Sequence, residues 1–380
     1  MNERIYLDYN ATTPIAREVA AAMSPFLAEA FGNPSSLHWA GLPARDAVET
    51  ARSKVAALLC CDATEVVFTS GGSEANNQAI KGLYFARQGG GPFHIITSRI
   101  EHPAVLEPCQ FLEKLGAEVT RLPVDGQGLV DPDAVRRAIR PHTALITIMH
   151  ANNEVGTIQP ISEIAAIARE HGVPCHTDAA QTAGKISVDV EALGVDLLSI
   201  AGHKLYGPKG VGALFIREGL ELEPLLHGAG HEAGRRAGTE NVLEIIGLGA
   251  ACELALRWIE DTRVASLRDD LWRSLQTRFG DRVVLNGHPD LRLPNTLNVG
   301  FRGEIGGDIL ARIPNVAAST GSACHAGSTH ISPVLAAMRV AHDVALGAVR
   351  FSLGRDTTPR EIDALVEMLA QRELAPRPAS

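Results

Sequence analysis

The stretch that decides the fold runs HTDAAQ (176–181), then DLLSI (196–200), then AGHKLYGPKG (201–210). Two short apolar runs, PCHTD at 174–178 and DLLSI, each end in polar residues. That is the pattern of buried strands opening onto one pocket at their C-terminal ends. It brings a carboxylate, Asp178, and an amine, Lys204, to the same sheet edge. Pyridoxal phosphate (PLP) chemistry needs this pair: a lysine to hold the aldehyde covalently, and an acid to keep the pyridine nitrogen protonated so that the ring accepts electrons.

Five further runs share this character: EVVFTS (65–70), FHIITS (93–98), EVTRL (118–122), LITIM (145–149) and GALFI (212–216). Alternating with helical patterns, the seven predict an α/β domain whose mostly parallel seven-stranded sheet is flanked by helices. Val48, Ala51, Val55 and Leu59 recur at helical spacing, which gives an amphipathic helix against the core. EVVFTS passes directly into GGSEANN (71–77). Strand, glycine turn and helix start leave backbone N–H groups facing an anion, so Gly72 and Ser73 are candidates for a phosphate site.

A helix is expected over 15–31, and a long helical pattern over 242–279 links the first domain to a second. Short β-rich runs among helices (RVVL, TLNVG, VRFSL) make that second unit a smaller α+β domain. The expected division is 15–250 for the large domain and 1–14 with 251–374 for the small one, with a disordered tail at 375–380.

Composition agrees with this reading. A chain of 380 residues exceeds what one core usually serves, and 45% hydrophobic with 21% charged residues suits a globular enzyme. A formal charge of -9 argues against a nucleic-acid partner, which would call for a basic surface. No apolar run approaches the roughly 20 residues of a membrane span, and MNERIYLD lacks a signal peptide's apolar core, so no membrane partner and a cytoplasmic location are expected. The six cysteines (60, 61, 109, 175, 252 and 324) show no paired spacing, so most are expected to be small buried hydrophobes and no metal site is expected.

Cys324 stands apart. Its surroundings, ASTGSACHAGSTHISP (318–333), are small residues that give the exposure and mobility a nucleophile needs. Arg350, in VRFSLGR (349–355), suits an amino acid carboxylate because guanidinium pairs with it bidentately; Arg355 is the weaker candidate.

From YLDYNATTP (6–14) to VRFSLGRDTTP (349–359), these motifs resemble the NifS/IscS-type cysteine desulfurases of the class V aminotransferase group, PLP fold type I. The match covers nearly the whole chain. The resemblance implies PLP, with its phosphate on Gly72, Ser73 and His203, and Asp178 at the ring nitrogen. It puts Gln181 and Asn153 near the phenolic oxygen, His102 of EHPAV (101–105) stacked on the ring and moving protons, and Lys204 as covalent anchor and base. Asn33 and Asn153 join Arg350 around the substrate, and Cys324 becomes the persulfide-forming nucleophile. Thr239, in HGAGHEAGRRAGTEN (227–241), reaches the partner's cofactor phosphate in a homodimer, and a sulfur-acceptor protein is implied as a further partner.

Two departures bear on this. Ala201 stands where many members have a serine, which removes one phosphate hydroxyl. The ACH sequence with His325 is more similar to selenocysteine lyases. The substrate is therefore expected to be L-cysteine, with L-selenocysteine as the alternative, and L-alanine as the product of either.

Overall fold

The computed structural model describes residues 4–87, 91–320 and 331–371. Cys324, His325 and the tail 375–380 lie outside the described residues. In chain order the strands are β1 (Ile5–Tyr6), β2 (Val66–Thr69), β3 (His94–Ser98), β4 (Glu118–Leu122), β5 (Thr143–Thr147), β6 (Cys175–Asp178), β7 (Leu197–Ala201), β8 (Gly212–Ile216), β9 (Val283–Asn286), β10 (Thr296–Phe301), β11 (Val316–Ala317) and β12 (Ala348–Ser352).

The seven apolar runs form one sheet in the order β2-β8-β7-β6-β5-β3-β4. Neighbours from β7 to β4 pair in parallel, while β8 runs antiparallel to both β2 and β7. Successive side chains along a strand point to opposite faces, and here both faces are apolar. Val66, Phe68, Ile96, Ile146, Leu198, Ile200, Ala213 and Phe215 enter one core. Their alternates Val67, Ile95, Leu145, Leu197 and Leu214 enter a second. A sheet buried on both sides reads as continuous apolar runs, which is why these strands are visible in the sequence.

Helices cover both faces. Helix α1 (Arg17–Met23) is shorter than the helix expected over 15–31. It gives way to a 3-10 turn, Ser24–Phe26, at Pro25, whose missing N–H and bulky ring cannot continue an α-helix. Helix α2 (Leu42–Leu59) buries Val48, Ala51, Val55 and Leu59. It lies so close to the helix Val242–Leu256 that a Cβ on Gly249 would sit 2.6 Å from the Ala51 Cα. Helices α3 (Gly72–Ala86) and α4 (Pro103–Glu113) supply Ala75, Ala79, Ile80, Leu83, Val105, Cys109 and Leu112 to the opposite core.

The helical pattern over 242–279 is two helices, Val242–Leu256 and Arg263–Phe279. Between them the Asp261 carboxylate accepts the Arg263 N–H at 2.8 Å, a local turn that starts the second helix afresh. That second helix carries Leu267, Leu271, Leu275 and Phe279 into a separate core with Leu297, Val299, Phe301, Val349, Phe351 and Leu365. Strands β12-β10-β9 form its antiparallel sheet. Ile5 and Leu7 pack there as well, because β1 pairs in parallel with β11.

Candidate active site

The polar ends of the strands collect at one edge of the large sheet, where α/β folds place ligands. After β2 the chain passes through Gly71, at φ 147° and ψ −179°, a conformation open to glycine alone. Helix α3 then begins at Gly72 with no side-chain cap, so its first N–H groups remain available to an anion.

Asp178 ends β6 and is buried. Its two oxygens accept Asn76 Nδ2 at 2.7 Å and the Ala180 N–H at 2.9 Å. Lys204 follows β7 through the turn Gly202–Lys204. Its Nζ donates to the carbonyls of Asn10 at 2.6 Å and Ala11 at 2.8 Å. Burial, followed by the Arg350 guanidinium, brings the Lys204 ammonium down to about 8, with Asp178 and Asp8 opposing.

His102 caps α4, its Nδ1 accepting the Ala104 N–H at 3.0 Å. Desolvation lowers its pKa, and with Nδ1 accepting, the neutral form of the ring has its hydrogen on Nε2. His203, with Nδ1 3.2 Å from the Thr12 hydroxyl, is brought down to about 4, mainly by burial and then by Lys204 and Lys209. Arg350 is 4% exposed. It donates to the Asn153 carbonyl at 2.9 Å and to Asp8 at 2.7 Å, and its Nε has no partner among the described residues.

These groups surround one cavity of about 310 Å³, at the small end of the roughly 300–1,000 Å³ usual for small-molecule sites. Gly72, Ser73, His102, Asn153, Asp178, Gln181, His203, Lys204 and Arg350, all singled out from the sequence, line it together. Ala201 lines it too, with no hydroxyl to offer. Two candidates stand elsewhere. The Asn33 side chain accepts the Ser35 N–H at 2.9 Å in an exposed turn. Thr239 is exposed and lines a different cavity with Arg236 and Glu240. Arg355 stacks its guanidinium 3.6 Å from the Tyr206 ring centre and is not among the residues lining the main cavity.

Three residues passed over in the sequence belong to the site. Asn76 holds Asp178. Asn10, 1% exposed, links Thr296, Asn295, Gln181, Lys185 and Lys204. Lys185 donates to Gln181. The available signal was spacing: Asn76 stands four residues after Gly72, and Lys185 four after Gln181.

The ends of the segment carrying Cys324 are anchored at this cavity. Ser319 exchanges backbone hydrogen bonds with Arg350, and the Ser332 hydroxyl donates to Glu154, next to Asn153.

A seven-stranded α/β sheet that brings a bare helix N-terminus, a carboxylate and a lysine to one edge is the framework of the fold type I PLP enzymes. The family described as aminotransferase class-V matches residues 5–365. Cysteine desulfurase IscS of Dictyoglomus turgidum is 52% identical over 373 residues, covering 97% of this chain and 94% of that protein. The IscS of Methanosarcina thermophila is 49% identical over 375 residues, covering 97% and 92%. Among solved structures, a NifS-like protein superposes with TM-score 0.91 at 36% identity, over 97% of this chain and 98% of that one. SspA in complex with cysteine gives TM-score 0.80 at 40% identity, over 92% and 98%. The chain belongs to the class-V aminotransferases and, within them, to the cysteine desulfurases.

The cofactor of this family is PLP, and the donor set fits it. The α3 N-terminus offers N–H groups to a phosphate, Asp178 offers a carboxylate to a protonated ring nitrogen, and Lys204 offers an amine to an aldehyde. Arg350 Nε, without a partner among the described residues, leaves a buried donor for an anionic ligand.

Proposed function

We propose that this chain is a PLP-dependent cysteine desulfurase that converts L-cysteine to L-alanine and passes the sulfur to Cys324. The observation that carries the reading is the convergence of Lys204, Asp178 and Arg350 on one cavity. When bound, the cofactor supplies an electron sink next to the substrate's α-carbon.

The protein's own residues do the rest. Gly72, Ser73 and His203 hold the phosphate end, Asp178 faces the ring nitrogen, His102 covers the ring, and Gln181 with Asn153 serves the phenolic oxygen. Arg350 takes the substrate carboxylate, assisted by Asn153; Asn33 stands outside this cavity, in its exposed turn. Lys204, whose pKa of about 8 leaves part of the amine neutral near pH 7, anchors the aldehyde and then carries the α-proton. The Cys324 thiolate attacks the substrate Sγ: a sulfur–sulfur bond forms, the Cβ–Sγ bond breaks, its electron pair stays with Cβ, and Cβ takes a proton. The balance is L-cysteine plus enzyme thiol giving L-alanine plus enzyme persulfide.

Thr239, exposed and outside the main cavity, suits a role across a homodimer at the partner's phosphate. A sulfur-acceptor protein then discharges the persulfide. No helix among the described residues is long and apolar enough to cross a membrane, which is compatible with a cytoplasmic setting. The relatives named above are cysteine desulfurases, so L-cysteine is preferred over the L-selenocysteine suggested by His325.

The test is alanine release from L-cysteine and from L-selenocysteine by wild type and Cys324→Ala. Loss with cysteine supports the reading. Full activity of Cys324→Ala on cysteine would overturn it.

A further inference from the structure

Lys185 is a lysine the reaction above does not use. It lies seven residues after Asp178, in the turn that follows β6, and its neighbour Gly184 packs on Leu205 and Ala255. Its Nζ donates to Gln181 Oε1 at 2.8 Å and to Asn10 Oδ1 at 3.2 Å. No carboxylate is among its hydrogen-bond or ion-pair partners in the described residues. Burial first, then the charges of Lys204 and Arg350, drives its amine well below the ordinary lysine range.

Both acceptors are amides, and an amide has two chemically opposite ends that occupy almost the same space. An N–H donor fixes which end faces it. With Oε1 held by Lys185, the Gln181 Nε2 is the end left for the cavity; one of its hydrogens goes to the Asn10 carbonyl at 2.9 Å and the other is free for a ligand. Asn10 is fixed in the same way. Its Oδ1 accepts from Lys185 and from Asn295 Nδ2, so its Nδ2 turns to Thr296 Oγ1 at 2.8 Å and to the Asn153 carbonyl.

We infer that Lys185 is a positioning residue: a buried amine behind the cavity that fixes the orientation of the Gln181 and Asn10 amides, and so keeps a Gln181 N–H facing the phenolic oxygen of the bound cofactor. This rests on the cofactor reading above. Without Lys185 the Gln181 Oε1 loses its donor and only the Asn10 carbonyl still sets the amide, so the N–H is held less firmly toward the phenolic oxygen and stabilises the anionic form less well.

The experiment loads wild type and the Lys185→Met, Lys185→Arg and Gln181→Met variants with PLP and measures the pH midpoint of the visible cofactor band. Lys185→Met and Gln181→Met are each expected to raise the midpoint by about one pH unit, the size of a lost hydrogen bond to a charged group. In the double variant Lys185→Met adds nothing to Gln181→Met, because it acts through that amide. Lys185→Arg does not raise the midpoint: it keeps the donor, and a small cavity of about 50 Å³ lined by Gly184 and Lys185 receives the longer head. An unshifted midpoint in Lys185→Met, or full additivity in the double variant, overturns the inference.

If Lys185→Met does not fold, Lys185→Gln, whose amide stops short of Gln181, takes its place, and an unshifted midpoint there overturns the inference equally. Failure of the cofactor reading looks different: wild type takes up no PLP, or the band survives Lys204→Ala.

Discussion

Asn76 Nδ2 donates to Asp178 Oδ2 at 2.7 Å, locking helix α3 to the end of β6. In the proposed reading, the helix whose N-terminus would take the phosphate thus also steadies the carboxylate that would face the ring nitrogen. In Asn76→Ala, the Asp178 side chain keeps only the backbone Ala180 N–H as a donor among the described residues. A hydrogen bond to a charged group contributes roughly 1.5–3 kcal/mol, so PLP affinity is expected to fall about 10–100-fold. Titrating the apoprotein with PLP by absorbance measures this. Unchanged affinity would show that the Ala180 N–H suffices.

In the proposed reading Lys204 captures the cofactor aldehyde, which needs the neutral amine. Its pKa of about 8 lies below the ordinary lysine value of 10.5, so the neutral fraction grows as pH rises through 8 and is nearly complete a unit or so above it. The rate at which apoprotein takes up PLP is therefore expected to climb between about pH 7 and 9 and then level off. A stopped-flow series across that range reads the midpoint. A midpoint near the ordinary lysine value would mean that burial does not tune this amine.

What was legible in the sequence follows from these same contacts. The strands of the large sheet stood out because both faces are buried, so residues such as Ile95, Ile96, Leu197 and Leu198 form unbroken apolar runs. Lys204 and Asp178 stood out because each closes such a run. The break at 257–262 was hidden: Trp258 and Ile259 keep the apolar rhythm of the helix, while the turn at Asp261 depends on one side-chain bond. Asn10 and Lys185 were hidden for another reason. Asn10 meets residues 153, 181, 185, 204, 295 and 296 only once the chain has folded, and no local pattern announces such a junction.

Arg350→Lys keeps the charge but loses the planar fork that pairs with a carboxylate. KM for L-cysteine is expected to rise about 10–100-fold with the visible PLP band unchanged. Steady-state kinetics beside an absorbance spectrum separate the two. A parallel loss of the band would assign Arg350 to the cofactor instead.

Glu232 anchors the segment that leads to Thr239. Its carboxylate accepts both terminal nitrogens of Arg52 at 2.8 Å and the Phe68 N–H at 2.8 Å. Glu232→Ala would leave the Arg52 guanidinium buried without that partner, at an expected cost of about 3–5 kcal/mol in urea unfolding. The backbone there is also strained, with Glu232 at φ 51° and Ala233 at φ 56°. Ala233→Gly is expected to stabilise the chain by about 1 kcal/mol, and a loss on that substitution would show that the left-handed turn is not under strain.

The N-terminal lead has a temporal consequence. Asp8 pairs with Arg350 and the Asn10 N–H donates to Ser352, each across 342 residues of sequence, while Asn10 and Ala11 form part of the cavity wall. Residues 8–11 must therefore wait for residues 350–352 before they find their places. The large sheet has all seven of its strands once residue 216 has emerged, but the catalytic chamber is finished only when residues 8–11 meet residues 350–352.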